Sequence, residues 1–501
     1  MGVPSKISDW AAADPDRVAA IQNDDHVTYG ELASGILYLR DSFAAQGVGA
    51  GAMAIVDVRS PLVLRMALYA LRALGADVAC IDRRAYMMEL IKLPRAVFVV
   101  FQAEIQAGTV SVTEDITVPV VEAPGSLRDE MRRPRDVGGD PIVLSGSHSL
   151  YSSGTTGPAK RVVLQTHKEN LLHEHRAAAM GFDASSLVHM GRMGPWGVPG
   201  FRIPGCVWHI GGRVFFNTRP DTWADFTYRG ITDYYTVPQA LMRMLDSWPE
   251  DGPRVDGLRL FSSGGPLSAP LVRMLAARIT RRIVNVYGCC EVPRYMMARA
   301  FDGEPSELNW LDQIPGSTLE IVRDDGELCA EGETGRLRCR LDPDDTHSYA
   351  DLPEATAMHF QDGCFYPGDL AARRGDGRIG LAGREDDVLN IKGNKLPAAP
   401  LEAHLSDQLG VDTVCVFVGQ DDRGAEILVV CIEGEAPVSK QALNDAAQSV
   451  AKDGRVAFSL HPSFPRGSNG MGKVLRGALR TEALEKIGLR DAATGGAPAS
   501  Q

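Results

Sequence analysis

The chain has 501 residues, too many for one hydrophobic core, so two or more domains are expected. Hydrophobic residues make up 44% and charged residues 23%, the balance of a soluble globular protein. A formal net charge of -12 argues against a nucleic-acid binder, which would carry a basic footprint, but leaves room for a local anion site. The nine cysteines show no C-x-x-C pair and no zinc spacing, and Cys289 and Cys290 are adjacent; a reducing cytoplasm is the expected location.

The segment Met1 to Trp10 lacks the apolar centre of a signal peptide, and no run of about 18 apolar residues suggests a membrane span. Thr28 is placed to cap a helix running to about Gln46. Met53 to Val58 reads as a buried strand, Pro61 to Leu74 as a helix and Ala96 to Phe101 as another strand. This alternation predicts an α/β architecture with a mostly parallel sheet. Further on, Leu381 to Asn394 is polar and marks a domain boundary. A helix over Ala399 to Leu409 and strands around Val414 to Val418 and Ile427 to Ile432 then make a small α+β domain. The small, polar tail Ala492 to Gln501 is expected to be disordered.

The densest chemical signal is Tyr151-Ser-Ser-Gly-Thr-Thr-Gly-Pro-Ala-Lys160, with hydroxyls at Ser152, Ser153, Thr155 and Thr156, glycines at Gly154 and Gly157, and a terminal lysine. Glycines let backbone N–H groups converge on an anion, hydroxyls donate to phosphate oxygens and lysine supplies a point charge. The plain alternative is a surface loop. The P-loop signature fails, because Ala159 stands before Lys160 and Arg161 after it, where glycine and a hydroxyl residue are required.

Tyr151 to Val162 resembles the phosphate-binding loop of the adenylate-forming superfamily, which comprises acyl-CoA synthetases, luciferases and peptide-synthetase adenylation domains. Ala159 and Arg161 depart from its pattern. Thr28 to Ile81 is similar to the superfamily's N-terminal part, and five further segments resemble its motifs in order. Leu260-Phe-Ser-Ser-Gly-Gly-Pro-Leu267 looks like the glycine turn beside adenine, with Gly264 and Gly265. Asn285-Val-Tyr-Gly-Cys-Cys-Glu291 resembles Y-G-x-[TS]-E; the resemblance implies that Tyr287 stacks on adenine beside Gly288 and that Glu291 helps hold Mg²⁺, with Cys290 replacing a hydroxyl residue. Tyr366-Pro-Gly-Asp-Leu370 matches the segment whose aspartate, here Asp369, receives the ribose hydroxyls. Gly383 to Lys395 looks like the hinge motif: Arg384 would contact ribose or phosphate, Asp386 would be the hinge, Gly393 would pass a pantetheine arm, and Lys395 replaces a common arginine. Gly467 to Lys473 resembles the C-terminal lysine loop, and Lys473 would act in the first chemical step. Taken singly, each segment has an ordinary reading as a turn, linker or surface residue.

The resemblance implies a large N-terminal domain of mostly parallel sheets with a β-rich subdomain, residues 1–383, and a small mobile α+β domain, residues 384–490, followed by the tail from 491. It implies an ATP- and Mg²⁺-dependent ligase that forms an acyl-adenylate, releases pyrophosphate and passes the acyl group to the thiol of CoA or of a stand-alone phosphopantetheinyl carrier protein. Catalysis would rest on Lys473, Glu291, Thr155 and Lys160. Alternatives are a non-thiol acceptor such as an amine, a small anion such as nitrite as substrate, or a catalytically silent nucleotide-binding homologue. The substrate pocket maps to Trp196, Val198, Arg202, Thr236, Ser263, Val286, Arg294 and Tyr295. Val198 stands where amino-acid-activating relatives carry an aspartate, which disfavours a free α-amino acid. Arg202 and Arg294 suggest a substrate with a second anionic or strongly polar group, against the alternative of two structural salt bridges. A specialised biosynthetic pathway is the expected setting, with neither nucleic acid nor membrane as partner.

Overall fold

A computed structural model describes residues 2–491 except 81–83, 134, 136–141, 153–159, 165, 167–171, 192, 293–295, 344, 392–393, 424, 435–437, 451–454 and 467–472. The expectations for Ser153, Gly154, Thr155, Thr156, Gly157, Ala159, Arg294, Tyr295, Gly393 and the tail from Ala492 therefore fall outside the described residues.

Local sequence chemistry starts the elements where expected. Thr28 accepts from the Glu31 N–H and the Glu31 carboxylate accepts from the Thr28 N–H, a reciprocal cap that opens the helix Tyr29–Ala45. Ser60 caps the helix Pro61–Ala73, whose residues Leu62 to Arg72 are all buried. Buried on every side, Arg65 and Arg72 included, this helix joins a single core cluster with residues of two sheets, among them Val56 and Val78 of one and Val214, Phe261 and Val286 of the other.

The first sheet has six strands in the order Val120–Ala123, Ala96–Phe101, Met53–Asp57, Asp77–Cys80, His148–Ser152 and Lys160–Leu164. All neighbours are parallel except the last pair, an antiparallel ladder in which Ser152 faces Lys160. In the second sheet Val18–Gln22, Arg213–Phe216, Leu187–His189, Asp233–Thr236, Arg259–Ser263 and Ile283–Tyr287 run parallel. After Tyr287 the pairing becomes antiparallel through Met297–Ala300, Trp310–Gln313, Ile379–Arg384, Asp369–Arg373 and Gly335–Arg340, which supplies the expected β-rich part. Ligand crevices in parallel sheets lie beyond the carboxyl ends of strands, and Thr236, Ser263 and Tyr287 occupy those ends.

The helix Val198–His209 contains Pro204. Proline has no N–H to offer the carbonyl four residues earlier. That carbonyl, on Gly200, accepts instead from the buried guanidinium of Arg65 at 2.6 Å.

The polar segment expected as a boundary comprises the end of the strand Ile379–Arg384, one 3₁₀ turn over Glu385–Asp387 and the strand Val388–Ile391. Beyond it, the helix Ala398–Leu409 and a four-stranded sheet of Arg455–His461, Glu426–Glu433, Val414–Gln420 and Arg490–Asp491 enclose cores of their own. This part touches the larger one through the ion pair Arg273–Asp407 at 2.6 Å and a hydrogen bond from Ser268 to Asp412 at 3.1 Å. Among the described residues no helix is long and apolar enough to cross a membrane.

Candidate active site

Asp369 and Arg384 are register partners on adjacent antiparallel strands, and their side chains meet at 3.0 Å. Arg384 also donates to the Pro367 carbonyl at 2.8 Å, while its buried Nε has no partner among the described residues. The other Asp369 oxygen accepts from the Tyr287 hydroxyl. Burial, and then the Asp369 charge, raise the Tyr287 pKa well above its ordinary value, so the phenol remains a donor. Burial works against the Arg384 charge, but Asp369, Tyr287 and Asp386 outweigh it and its pKa is raised.

Glu291 is buried and its carboxylate accepts from the Tyr349 hydroxyl at 2.8 Å. The Tyr349 ring lies 5.3 Å from the Lys160 ammonium. Lys160 in turn lies 2.6 Å from His359 Nε2. Burial lowers the Lys160 pKa; Glu291 opposes that shift and Arg384 adds to it.

Lys473 reaches the same place from the C-terminal part. Its neighbour Val474 forms a β-bridge with Arg466, and Leu475 N–H bonds Pro465 O at 2.8 Å, which fixes the lysine at the foot of its loop. Burial lowers the Lys473 pKa, with Asp369 the strongest opposing influence and Arg384, Cys290 and Glu291 also acting on it. Cys290 is pushed up to about 12 by burial and then by Glu291, so its thiol is neutral at physiological pH. The structure thus brings together Lys160, Tyr287, Cys290, Glu291, Asp369, Arg384 and Lys473. The backbone of Ser152 pairs with Lys160 at the edge of this group.

Gly264 follows the strand Arg259–Ser263 with φ +86, a conformation that side chains resist. A Cβ on Gly265 would meet only Pro238 Cγ, at 3.6 Å, so this stretch presents bare backbone. Thr236, Ser263 and Val286 are buried at neighbouring strand ends, and Ser263 Oγ has no partner among the described residues. Val198 opens its helix, packs in a cluster with Tyr287 and Cys290, and turns its N–H toward the Cys290 sulfur. Trp196 packs at the edge of the main core, and a Cβ on Gly194 would strike its ring at 2.1 Å. Arg202 lies on the next turn, 3% exposed, and acts electrostatically on Cys290, His148 and His173. Asp386 is exposed in the 3₁₀ turn beside Arg384. The glycine after Tyr287, Gly288, is exposed as well.

The family profile described as AMP-binding enzyme matches residues 7–342. The chain belongs to the AMP-binding enzyme family. It is similar to tyrocidine synthase 3 of Brevibacillus parabrevis, 25% identical over 87% of this chain but spanning only 7% of that protein's length. It is also similar to the indoleacetate–CoA ligase of Aromatoleum aromaticum (strain DSM 19018 / LMG 30748 / EbN1), 25% identical over 90% of this chain and 92% of the relative. In fold it resembles the O-succinylbenzoate coenzyme A synthetase of Bacillus subtilis solved with ATP and magnesium ion, with TM-score 0.78, 18% identity, and 95% and 99% of the two chains covered.

Two departures of this AMP-binding family member from the superfamily pattern have structural accounts. Arg161 pairs with Asp351 at 2.5 Å, and its carbonyl accepts from the Ala350 N–H. Cys290 is a half-buried neutral thiol against a helix N-terminus, a weak partner where a hydroxyl would donate more strongly. We expect Cys290→Ser to keep adenylation within about threefold of wild type, since it restores a better donor at nearly the same volume; pyrophosphate release measures this, and a larger loss would show that the thiol itself is needed. The side chain of Lys395 is not among those described.

Three residues in this network were not singled out by sequence: Tyr349, His359 and Asp351. They lie in the stretch between Ala350's neighbours and the hairpin Phe360–Phe365, and no motif or periodicity flags them. The one available signal was a lone histidine at the end of a short helix.

Proposed function

We propose that this chain is an ATP-dependent, AMP-forming acid ligase. The reading is carried by the convergence of Lys473 with Asp369, Arg384 and Glu291, because it places a cation beside a diol-accepting carboxylate, an anion-binding guanidinium and a carboxylate suited to a cation. The residues present suit the nucleotide: Asp369 has lone pairs to accept a vicinal diol, and Arg384 Nε and Ser263 Oγ have no partner among the described residues. Glu291, held by Tyr349, suits a magnesium ion, which takes one or two carboxylates and otherwise phosphates and water. When bound, the magnesium would neutralise charge on the phosphates.

In the first half-reaction a carboxylate attacks the α-phosphorus of ATP and pyrophosphate leaves. Lys473 offsets charge on the non-bridging oxygens and aligns the two reactants. Lys160 holds the pyrophosphate side, while Asp369 and Arg384 hold the ribose side. In the second half-reaction a thiol of CoA or of a carrier protein attacks the acyl carbon and AMP leaves. We propose residues 384–490 as the unit that rotates between these steps, with Asp386 as the pivot. Arg476 clamps the following segment through Asp387 at 3.1 Å and Glu402 at 2.8 Å. The nine free cysteines suit a reducing compartment, and we propose the cytoplasm.

For the acid, we propose a second anionic or strongly polar group directed at Arg202. The buried Arg202 guanidinium acts on Cys290, and the nearby His148 and His173, their pKa values pushed down chiefly by burial, are neutral, so Arg202 is the cation that would meet such a group. A panel of mono- and dianionic carboxylic acids, scored by pyrophosphate release with and without CoA or a carrier protein, tests substrate and acceptor together. Arg202→Ala is expected to raise KM for the preferred dianionic acid about tenfold or more without changing KM for ATP. An unchanged acid KM would make Arg202 a structural residue. Absence of pyrophosphate release and of ATP binding would point to the silent homologue.

A further inference from the structure

The Lys160–His359 contact joins two parts of the site that the motifs treat as separate. His359 ends the helix Pro353–His359. It is tied to Tyr366 twice, once through its backbone and once through its ring. The Tyr366 N–H donates to the His359 carbonyl at 2.8 Å, and the Tyr366 carbonyl lies 2.7 Å from His359 Nδ1. A carbonyl only accepts, so Nδ1 carries the proton. Nε2 then presents its lone pair, and the Lys160 ammonium donates to it at 2.6 Å. A doubly protonated ring has no lone pair for Lys160, so the contact requires the neutral imidazole. The ring also packs on aromatic rings: Tyr349 edge-on with centroids 5.8 Å apart, and Phe365 at 6.3 Å. Tyr349 continues the chain to Glu291.

We propose that His359 is a positioning residue for nucleotide binding: its neutral imidazole holds the Lys160 ammonium beside Glu291 and ties it to the Tyr366–Asp369 segment. A lysine carries three rotatable donors on a flexible four-carbon stem and is poorly positioned unless something holds it. With His359 in place, the cation that faces pyrophosphate and the carboxylate that faces ribose share one rigid support, Tyr366 being three residues from Asp369. The inference rests on the nucleotide-site reading above. It differs from a role as a helix end piece, which would affect folding without distinguishing one nucleotide from another.

The test is calorimetric titration of the full chain with Mg-ATP and, separately, with AMP, which needs no knowledge of the acid. His359→Leu is expected to weaken Mg-ATP about tenfold, the scale of one hydrogen bond from a charged donor, and to leave AMP within about twofold. His359→Gln, whose amide oxygen reaches the Nε2 position, is expected to restore most of the Mg-ATP affinity. In a Lys160→Ala background, His359→Leu is expected to add no further loss, because the two act as one unit. Unchanged Mg-ATP affinity in His359→Leu, or a parallel loss of AMP, overturns the inference while leaving the nucleotide site standing. A wild-type chain that binds neither nucleotide overturns both.

Discussion

Replacing Lys473 by alanine is expected to lower acid-dependent pyrophosphate release about 100- to 1,000-fold while Mg-ATP affinity changes only a few-fold. The magnitude is that of removing one preorganised charge from a transition state. The asymmetry follows from placement. Lys473 comes from the C-terminal part, whereas Tyr287 and Asp369, which we propose hold the nucleotide, belong to the larger part and keep their contact whether or not the lysine is present. Burial depresses its pKa from the ordinary 10.5, and only the ammonium offsets phosphate charge. Raising the pH through the depressed value removes that charge, so the alkaline limb of the pH–rate profile should lie below 10.5. The limb should vanish from the residual activity of Lys473→Ala. Equal rates for wild type and variant would remove Lys473 from the chemistry.

The second large effect is expected at Asp369. Asp369→Ala should weaken Mg-ATP and AMP alike, about 100-fold each, the worth of two hydrogen bonds to a charged acceptor. This equal loss contrasts with the selective loss expected at His359, because ribose is common to both nucleotides. The substitution also strips Arg384 and Tyr287 of their shared acceptor. Breaking a fully buried pair costs about 3–5 kcal/mol, but exposed pairs are screened to about 1 kcal/mol or less. Arg384 keeps 33% of its side chain exposed, so an unfolding loss between these limits, about 2 kcal/mol, is expected. Calorimetry and thermal unfolding read the two effects separately. A variant that binds AMP normally would take Asp369 out of ribose recognition.

Local chemistry made much of the framework legible. The Thr28–Glu31 cap, the strands Met53–Asp57 and Ala96–Phe101 and the buried helix Pro61–Ala73 are written in residues that are neighbours along the chain. Tyr287, Glu291, Asp369, Arg384 and Lys473 were readable because each sits in a short motif, and the fold gathers them. Their supports were not readable. Lys160 and His359 are 199 positions apart, Arg161 and Asp351 are 190 apart, and Glu291 and Tyr349 are 58 apart. Contacts of that range arise from antiparallel strands folding back on the parallel sheet, and no local period encodes them. Arg202 was readable as an oddity, but its setting among His148, His173 and Cys290 depends on the packing of a helix between sheets.

The proline in that helix has a wider consequence. Pro204 silences one rung of the backbone ladder, and Arg65 supplies the missing donor to Gly200 from a different element. The start of this helix, which carries Val198 in its first turn and Arg202 in the next, is therefore moored sideways to the helix Pro61–Ala73 rather than only along its own axis. As long as Pro204 stands, exchanging Arg65 leaves the Gly200 carbonyl without this donor. With Val198 and Arg202 proposed to face the acid, a search for altered substrate range has reason to include position 65, which holds their helix from a different element.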